Sequence, residues 1–160
     1  SELAFMLRDS DSSSGIGTSV PTLDPERNIA LYKALTNAME NRMIRSAHDC
    51  SDGGLSVSLA ESCFGFSGGA DIDVSEILLS DDELDEWGAL FGESLGRIIV
   101  SVSPENATEF EKKMEGHAVY KLGKTTSSGK VMISAHGKTI LKCDVDSLKA
   151  AWKGTLDRSA

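Results

Sequence analysis

Basic residues are scarce in this chain: 16 Lys and Arg stand against 25 Asp and Glu over 160 residues, a formal net charge of −9. An acidic surface repels phosphate backbones, which argues against general nucleic-acid binding. It leaves room for a nucleotide, because magnesium can bridge carboxylate and phosphate. The basic runs that do occur, Lys112-Lys113, Lys121 with Lys124 and Lys149 with Lys153, are short and read as solvated surface. Cysteine is also sparse. Cys50, Cys63 and Cys143 are odd in number and form no C-x-x-C pair, which disfavours a disulfide framework or a zinc site. Their use as small hydrophobes predicts a reducing, cytoplasmic compartment. No apolar run approaches the ~20 residues of a bilayer span, so no membrane partner is expected. The first residues carry neither an initiator Met nor a basic region, which predicts a piece of a longer chain and no signal peptide. P-loop and dinucleotide-fingerprint patterns are missing.

What is present is ordinary globular composition, 40% apolar and 26% charged, enough for one domain with a hydrophobic core. The pattern predicts a leading strand (Leu3 to Leu7) and a Ser/Gly-rich loop within residues 1–20. A single α/β domain is expected over 21–156, with a frayed tail at 157–160. Asp24, Pro25 and Glu26 open a first helix. Its apolar face is expected to be Ile29, Tyr32, Leu35, Met39 and Met43, ending near Met43. A strand over Ile44 to His48 and a helix from Gly54 to about Phe64 follow, the helix carrying Leu55, Leu59, Ala60 and Cys63 on one side. Ala70 to Val74 alternates like a half-exposed strand, and Ser80 with Glu83 forms a capping box for a short helix reaching Leu90. Further strands are expected over Arg97 to Val102 and Ala118 to Leu122. Between them lies a helix opened by Ser103-Pro104-Glu105, with Ala107, Phe110 and Met114 inward. Lys130 to Ala135 and Thr139 to Asp144 make a hairpin turning at His136-Gly137-Lys138, and Asp146 caps a last helix with Leu148, Ala151 and Trp152. A mixed β-sheet with packed helices satisfies this pattern, without revealing strand order.

The chemically informative stretch is Ser46-Ala47-His48-Asp49-Cys50-Ser51-Asp52-Gly53-Gly54-Leu55. It ends a strand and feeds a helix N-terminus, where N–H groups favour anions and where open α/β sheets tend to bind ligands. Gly53 and Gly54 permit close backbone approach or positive φ. Asp49 and Asp52 are hard oxygen ligands of the kind magnesium prefers, and the Ser51 hydroxyl can bond phosphate. The same residues are also good turn and capping chemistry, and on residue chemistry alone that reading stands slightly ahead. His48 has the chemistry of a general base, although a hydrogen-bonded structural histidine is commoner at a strand end. His117 and His136 fall in expected loops. No catalytic residue is assigned.

The stretch, with Ser58-Leu59-Ala60-Glu61 after it, resembles the C-terminal part of phosphoribosylformylglycinamidine synthases, whose motif reads Ala-His-Asp-x-Ser-Asp-Gly-Gly-Leu and then Leu-Ala-Glu. Val20-Pro21, Asp24-Pro25, Leu90-Phe91-Gly92-Glu93-Ser94-Leu95-Gly96-Arg97, Leu122-Gly123-Lys124-Thr125 and Leu148-Lys149-Ala150-Ala151-Trp152 follow the family's order. Gly92 replaces the usual Ser, and residues 12–17 lack the family's Gly-Gly-Ser-Glu-Tyr pattern. The resemblance implies an aminoimidazole ribonucleotide synthetase-like C-terminal domain. It also implies an ATP-dependent ligase converting formylglycinamide ribonucleotide and glutamine-derived ammonia to the amidine. ATP would activate the amide oxygen as an iminophosphate, ammonia would attack, and phosphate would leave. Mg2+ and ATP or ADP are the implied cofactors. Carried over, Asp49 is the magnesium ligand, Asp52 a weaker candidate, and Ser51, Gly53 and Gly54 bind nucleotide. Glu93, Ser94 and Arg97 match a recurrent segment of unassigned contact, in which Arg97 serves equally as a sheet-edge partner of Glu93. The implied partners are upstream domains of the parent chain and a separate glutaminase subunit, with the isolated piece inactive. The competing readings are a scaffold half-domain holding a structural nucleotide or none, and a sister enzyme of selenophosphate synthetase, thiamine-monophosphate kinase or hydrogenase-maturation type.

Overall fold

The structure, a computed structural model, describes residues 23–81 and 84–154. The expected leading strand and loop, Glu83 of the capping box and the tail at 157–160 lie outside the described residues. In chain order the elements are α1 (Pro25–Glu40), β1 (Ile44–Asp49), α2 (Gly54–Cys63), β2 (Gly69–Asp73), α3 (Ser75–Leu79), α4 (Glu86–Phe91) and β3 (Ile98–Val102). A 3-10 turn (Pro104–Asn106), α5 (Ala107–Lys113), β4 (Gly123–Thr126), β5 (Lys130–Ala135), β6 (Lys138–Asp144) and α6 (Val145–Gly154) complete it. Contacts gather in two compact units. One runs up to Asp52 and resumes over Glu93–Val119; the other comprises Gly53–Gly92 and the chain from Tyr120 onward.

In the first unit Asp24 caps α1, its carboxylate accepting the Arg27 N–H at 3.1 Å. The helix stops at Glu40, earlier than expected, because Arg42 takes a left-handed φ of 56°. Met43 therefore lies beyond the helix, although it is buried. Of the expected apolar face, Leu35 and Met43 are buried, and the other three positions need correction. Ala38 and Leu35 are buried and Leu31 and Ala34 pack on the core, whereas Ile29, Tyr32 and Met39 are 53%, 43% and 42% exposed. Both stripes have helical spacing, so periodicity could not choose between them. The core consists of Ala38, Met43, Phe110 and Met114, with Ile44, Val100 and Val102 from the antiparallel β1–β3 ladder packed against it. Phe110 and Met114 point inward as the sequence predicts.

The second unit holds a four-stranded sheet in the order β4-β2-β5-β6, with β2–β5 parallel and the other pairs antiparallel. It is the mixed sheet the sequence predicts. Strand β5 buries Val131, Ile133 and Ala135 on one face. His136 and Gly137 both have positive φ (49° and 75°), the requirement of a tight hairpin whose twist matches its strands. Helix α2 buries Leu55, Leu59, Ala60 and Cys63, as expected, and packs against α4 and α6.

Three local expectations fail. Ala118 to Leu122 is no strand: Val119 and Tyr120 are exposed, and the ladder with β2 covers Gly123–Thr126, preceded only by the Leu122 carbonyl accepting the Asp73 N–H at 2.7 Å. Ser80 opens no helix; it follows α3, its hydroxyl donating to the Ile77 carbonyl at 2.6 Å, while Asp85 caps α4 by accepting the Gly88 N–H at 2.6 Å. Asp146 lies within the first turn of α6, not at its cap. Trp152 is exposed on that helix, donating its ring N–H to Glu61 Oε1 at 2.9 Å and tilting against Phe64 at 5.8 Å. Among the described residues no helix is long and apolar enough to cross a membrane.

Candidate functional site

Asp49 closes β1 opposite Ile98, and the Cys50 N–H donates to the Arg97 carbonyl at 2.9 Å, prolonging the ladder by one residue. Arg97, the end of one segment singled out by sequence, is brought beside Cys50 of the other in this way within the first unit. The Asp49 side chain is 74% exposed and accepts the Ser51 hydroxyl. That hydroxyl, with the Asp49 backbone N–H and the neighbouring His48, holds the carboxyl below its ordinary range against a small desolvation cost. His48 is oriented by a 2.7 Å hydrogen bond from Nδ1 to the Asp49 carbonyl. A carbonyl only accepts, so Nδ1 carries the proton.

The loop preceding β3 is shaped by Gly96, at φ 81°. That left-handed φ favours glycine, and the Gly96 Cα faces the Asn28 side chain at the start of α1, where a Cβ would come within 2.6 Å of Nδ2. Glu93, Ser94 and Arg97 are partly buried, and Leu95 is exposed. Asn28 escaped the sequence reading. A single polar residue in the first turns of a helix carries no signal until the loop facing it is known.

Gly53 and Gly54 open the second unit, with φ of 78° and 64°. A Cβ on Gly54 would sit 2.5 Å from the Gly92 carbonyl oxygen. Close approach of the chain to itself accounts for this glycine. The capping half of the turn-and-cap reading fails here: the N-cap of α2 is Gly53, which makes no side-chain cap bond. Ser51 bonds Asp49 instead. Asp52 is exposed in the turn.

Among the described residues no group of three or more His, Cys, Asp or Glu could hold a metal ion. This stretch offers one exposed carboxylate held in its ionised form. That suits magnesium, which takes one or two protein carboxylates and completes its shell with phosphate oxygens and water. It does not suit zinc, which needs three or four protein ligands. A cleft of about 510 Å3 in the second unit, lined by Phe66, Ser127, Ser128 and Lys149 among others, contains none of the candidate residues. Its lysine is engaged, donating to the Phe64 carbonyl at 2.8 Å.

Residues 3–135 match the family described as AIR synthase related protein, C-terminal domain. The chain is 35% identical over 139 residues to phosphoribosylformylglycinamidine synthase subunit PurL of Carboxydothermus hydrogenoformans, covering 86% of this chain and 18% of that protein. It is 43% identical over 124 residues to the same-named subunit of Lactobacillus helveticus, covering 78% and 15%. The chain therefore spans under a fifth of the length of these curated relatives. Among solved structures, T. maritima PurL complexed with FGAR matches with a TM-score of 0.72 at 20% identity, over 81% of this chain and 22% of that one. T. maritima PurL complexed with ATP matches with a TM-score of 0.66 at 19% identity, over 74% and 21%. At those identities the structural likeness speaks for the fold.

Proposed function

This chain belongs to the family of AIR synthase related C-terminal domains, and from that premise we propose that it is the C-terminal domain of a phosphoribosylformylglycinamidine synthase. The parent enzyme would use ATP to convert formylglycinamide ribonucleotide and ammonia to the amidine in purine synthesis. The observation that carries this reading is the 35–43% identity to enzymes of that name across most of the chain. The local geometry supports a ligand role for the His-Asp stretch. The N-cap of the helix that follows is Gly53, not an acidic or hydroxyl residue, and the exposed Asp49 carboxyl is held below its ordinary range by Ser51.

In this proposal Asp49 is the chain's magnesium ligand, with Asp52 as a lesser candidate. Ser51 holds Asp49 and contacts nucleotide, and Gly53 and Gly54 set the backbone beneath it. His48 positions the Asp49 carbonyl. Arg97, whose carbonyl prolongs the same ladder, completes the candidate set with Glu93 and Ser94 of its segment. A bound magnesium ion would neutralise phosphate charge on ATP or ADP. Upstream domains of the parent and a separate glutaminase subunit would supply the other ligands and the ammonia, in the cytoplasm.

The test is ammonia- and magnesium-dependent ADP release by the full-length parent with formylglycinamide ribonucleotide, for wild type and Asp49→Asn. The expected result is substrate-dependent release by wild type and a loss of about 100-fold in the variant at unchanged melting temperature. A variant that keeps turnover but loses melting temperature together with bound nucleotide would make the site a structural one. No release by wild type would overturn the ligase assignment in favour of a sister enzyme.

A further inference from the structure

Helix α1 buries Leu35 and Ala38 in its own unit, with Leu31 and Ala34 packed on the core beside them. Further apolar side chains of the same helix are left in solvent: Ile29, Tyr32 and Met39. Ile29 and Tyr32 line one surface cleft of about 390 Å3, together with Lys33, Thr36, Asn37 and Glu40. Met39, three residues beyond Thr36 and seven beyond Tyr32, continues that side of the helix by its spacing. Scattered exposed hydrophobes need no explanation, but these share one side of one helix. A helix that is apolar on more than one side is suited to being covered on more than one side.

Charge and size select what covers it. Lys33 and Glu40 cancel, so the cleft is neutral on a chain of net charge −9. Nothing in it attracts a nucleic acid, an anionic lipid or a partner steered by charge. From Ile29 to Met39 the strip runs about 15 Å, and at a helix width of about 10 Å it offers roughly 150 Å2. A stable free-standing complex needs about 800 Å2 from each partner. A second copy or a separate subunit held by this strip alone would dissociate. A domain of the same polypeptide needs far less contact, because a short linker gives it an effective concentration in the millimolar range. The parentage proposed above supplies such domains, since the chain spans only 18% and 15% of the relatives it matches.

We propose that the outer side of α1 docks onto another domain of the same parent polypeptide, and the proposal rests on that parentage. The facing surface is neutral and carries aliphatic or aromatic side chains that fill the cleft against Ile29, Tyr32 and Thr36. Helix α1 is then covered on both sides, by its own core and by the neighbouring domain.

The experiment is photo-crosslinking in the full-length parent, with its partner subunits present. Tyr32→p-benzoylphenylalanine is irradiated in an equal mixture of isotope-labelled and unlabelled parent, and the joined peptides are identified by mass. The expected result is a link, within one isotopic form, to a peptide of the parent outside these 160 residues. A link of mixed isotope, a link to another subunit, or no link would overturn the proposal. Thr36→Cys gives a second reading where the bulky probe disturbs the fold. Its peptide is expected to react with a maleimide at least about tenfold more slowly in the folded parent than in urea. Equal rates would overturn the proposal. Neither readout depends on activity. A parent that forms the link without releasing ADP loses the ligase assignment and keeps this contact, and one that releases ADP without the link does the reverse.

Discussion

The two units build their interiors by different routes. In the unit of α1, β1, β3 and α5, no residue of either strand is buried, and two methionines, an alanine and a phenylalanine from helices and their flanks form the core. In the four-stranded unit, β5 alternates strictly, with Val131, Ile133 and Ala135 inward, and β2 adds Ala70 and Ile72. Branched side chains on a pleated face have few rotamers and set register tightly, whereas methionine adapts to irregular gaps. The contrast teaches where precision resides. The ladder that joins His48, Asp49 and Cys50 to Ile99, Ile98 and Arg97 belongs to the loosely buried unit, so its register is held by backbone pairing and not by a dry sheet face.

The comparison breaks first at Ile133. Ile133→Ala, at a wholly buried strand position, should cost about 4 kcal/mol in urea unfolding. A loss below about 1 kcal/mol would show that the four-stranded core is not the rigid one. The next test lies on α1, whose expected apolar face is divided between buried and exposed positions. Leu35→Ala should cost about 3 kcal/mol, while Ile29→Ser should stay within about 0.5 kcal/mol, since Leu35 is buried and Ile29 is 53% exposed. Comparable losses would restore the face that periodicity alone suggests.

The smallest effect concerns pH. Asp73 ends β2 and accepts the Ser75 N–H at 2.8 Å, the Ser75 hydroxyl and the Ser134 hydroxyl at 3.3 Å, while the Ser75 oxygen accepts the His136 N–H at 2.7 Å. Bonds from Ser75, then Ser134 and nearby His136, lower its pKa from the ordinary 3.8. A depressed carboxyl pKa stabilises the fold above the unfolded value and loses that contribution as pH falls through the folded one. Wild type should therefore show a higher urea midpoint than Asp73→Asn at neutral pH, with the gap closing below pH 3.8. A gap independent of pH would assign the effect to geometry alone.

Much of the fold was legible. The α2 stripe, the β5–β6 hairpin and the strands at Ile44 and Ile98 were readable because each combines one unambiguous period with turn residues at its ends. The misreadings share a different cause. Ala118 to Leu122 has apolar residues but no partner strand, Ser80 has capping chemistry but follows a helix, and α1 carries two apolar stripes. Local chemistry permits each expected state, and only the neighbours decide. The site divided likewise. The His-Asp stretch was visible as a rare cluster of hard ligands and glycines, whereas Asn28 beside Gly96, and the ladder joining Cys50 to Arg97, depend on contacts between segments far apart in sequence.

By itself the sequence determined the family, the mixed α/β class and the acidic character, and it singled out the His-Asp stretch as the candidate site, because these follow from residue identity and short-range spacing. Tertiary structure alone decided strand order, which stripe of α1 is buried, that Gly54 serves the chain's own close approach, and that Trp87 and Leu79 face solvent. The physical reason is common to all four. Burial and pairing are properties of where two segments meet, and no local pattern encodes which segment will be there.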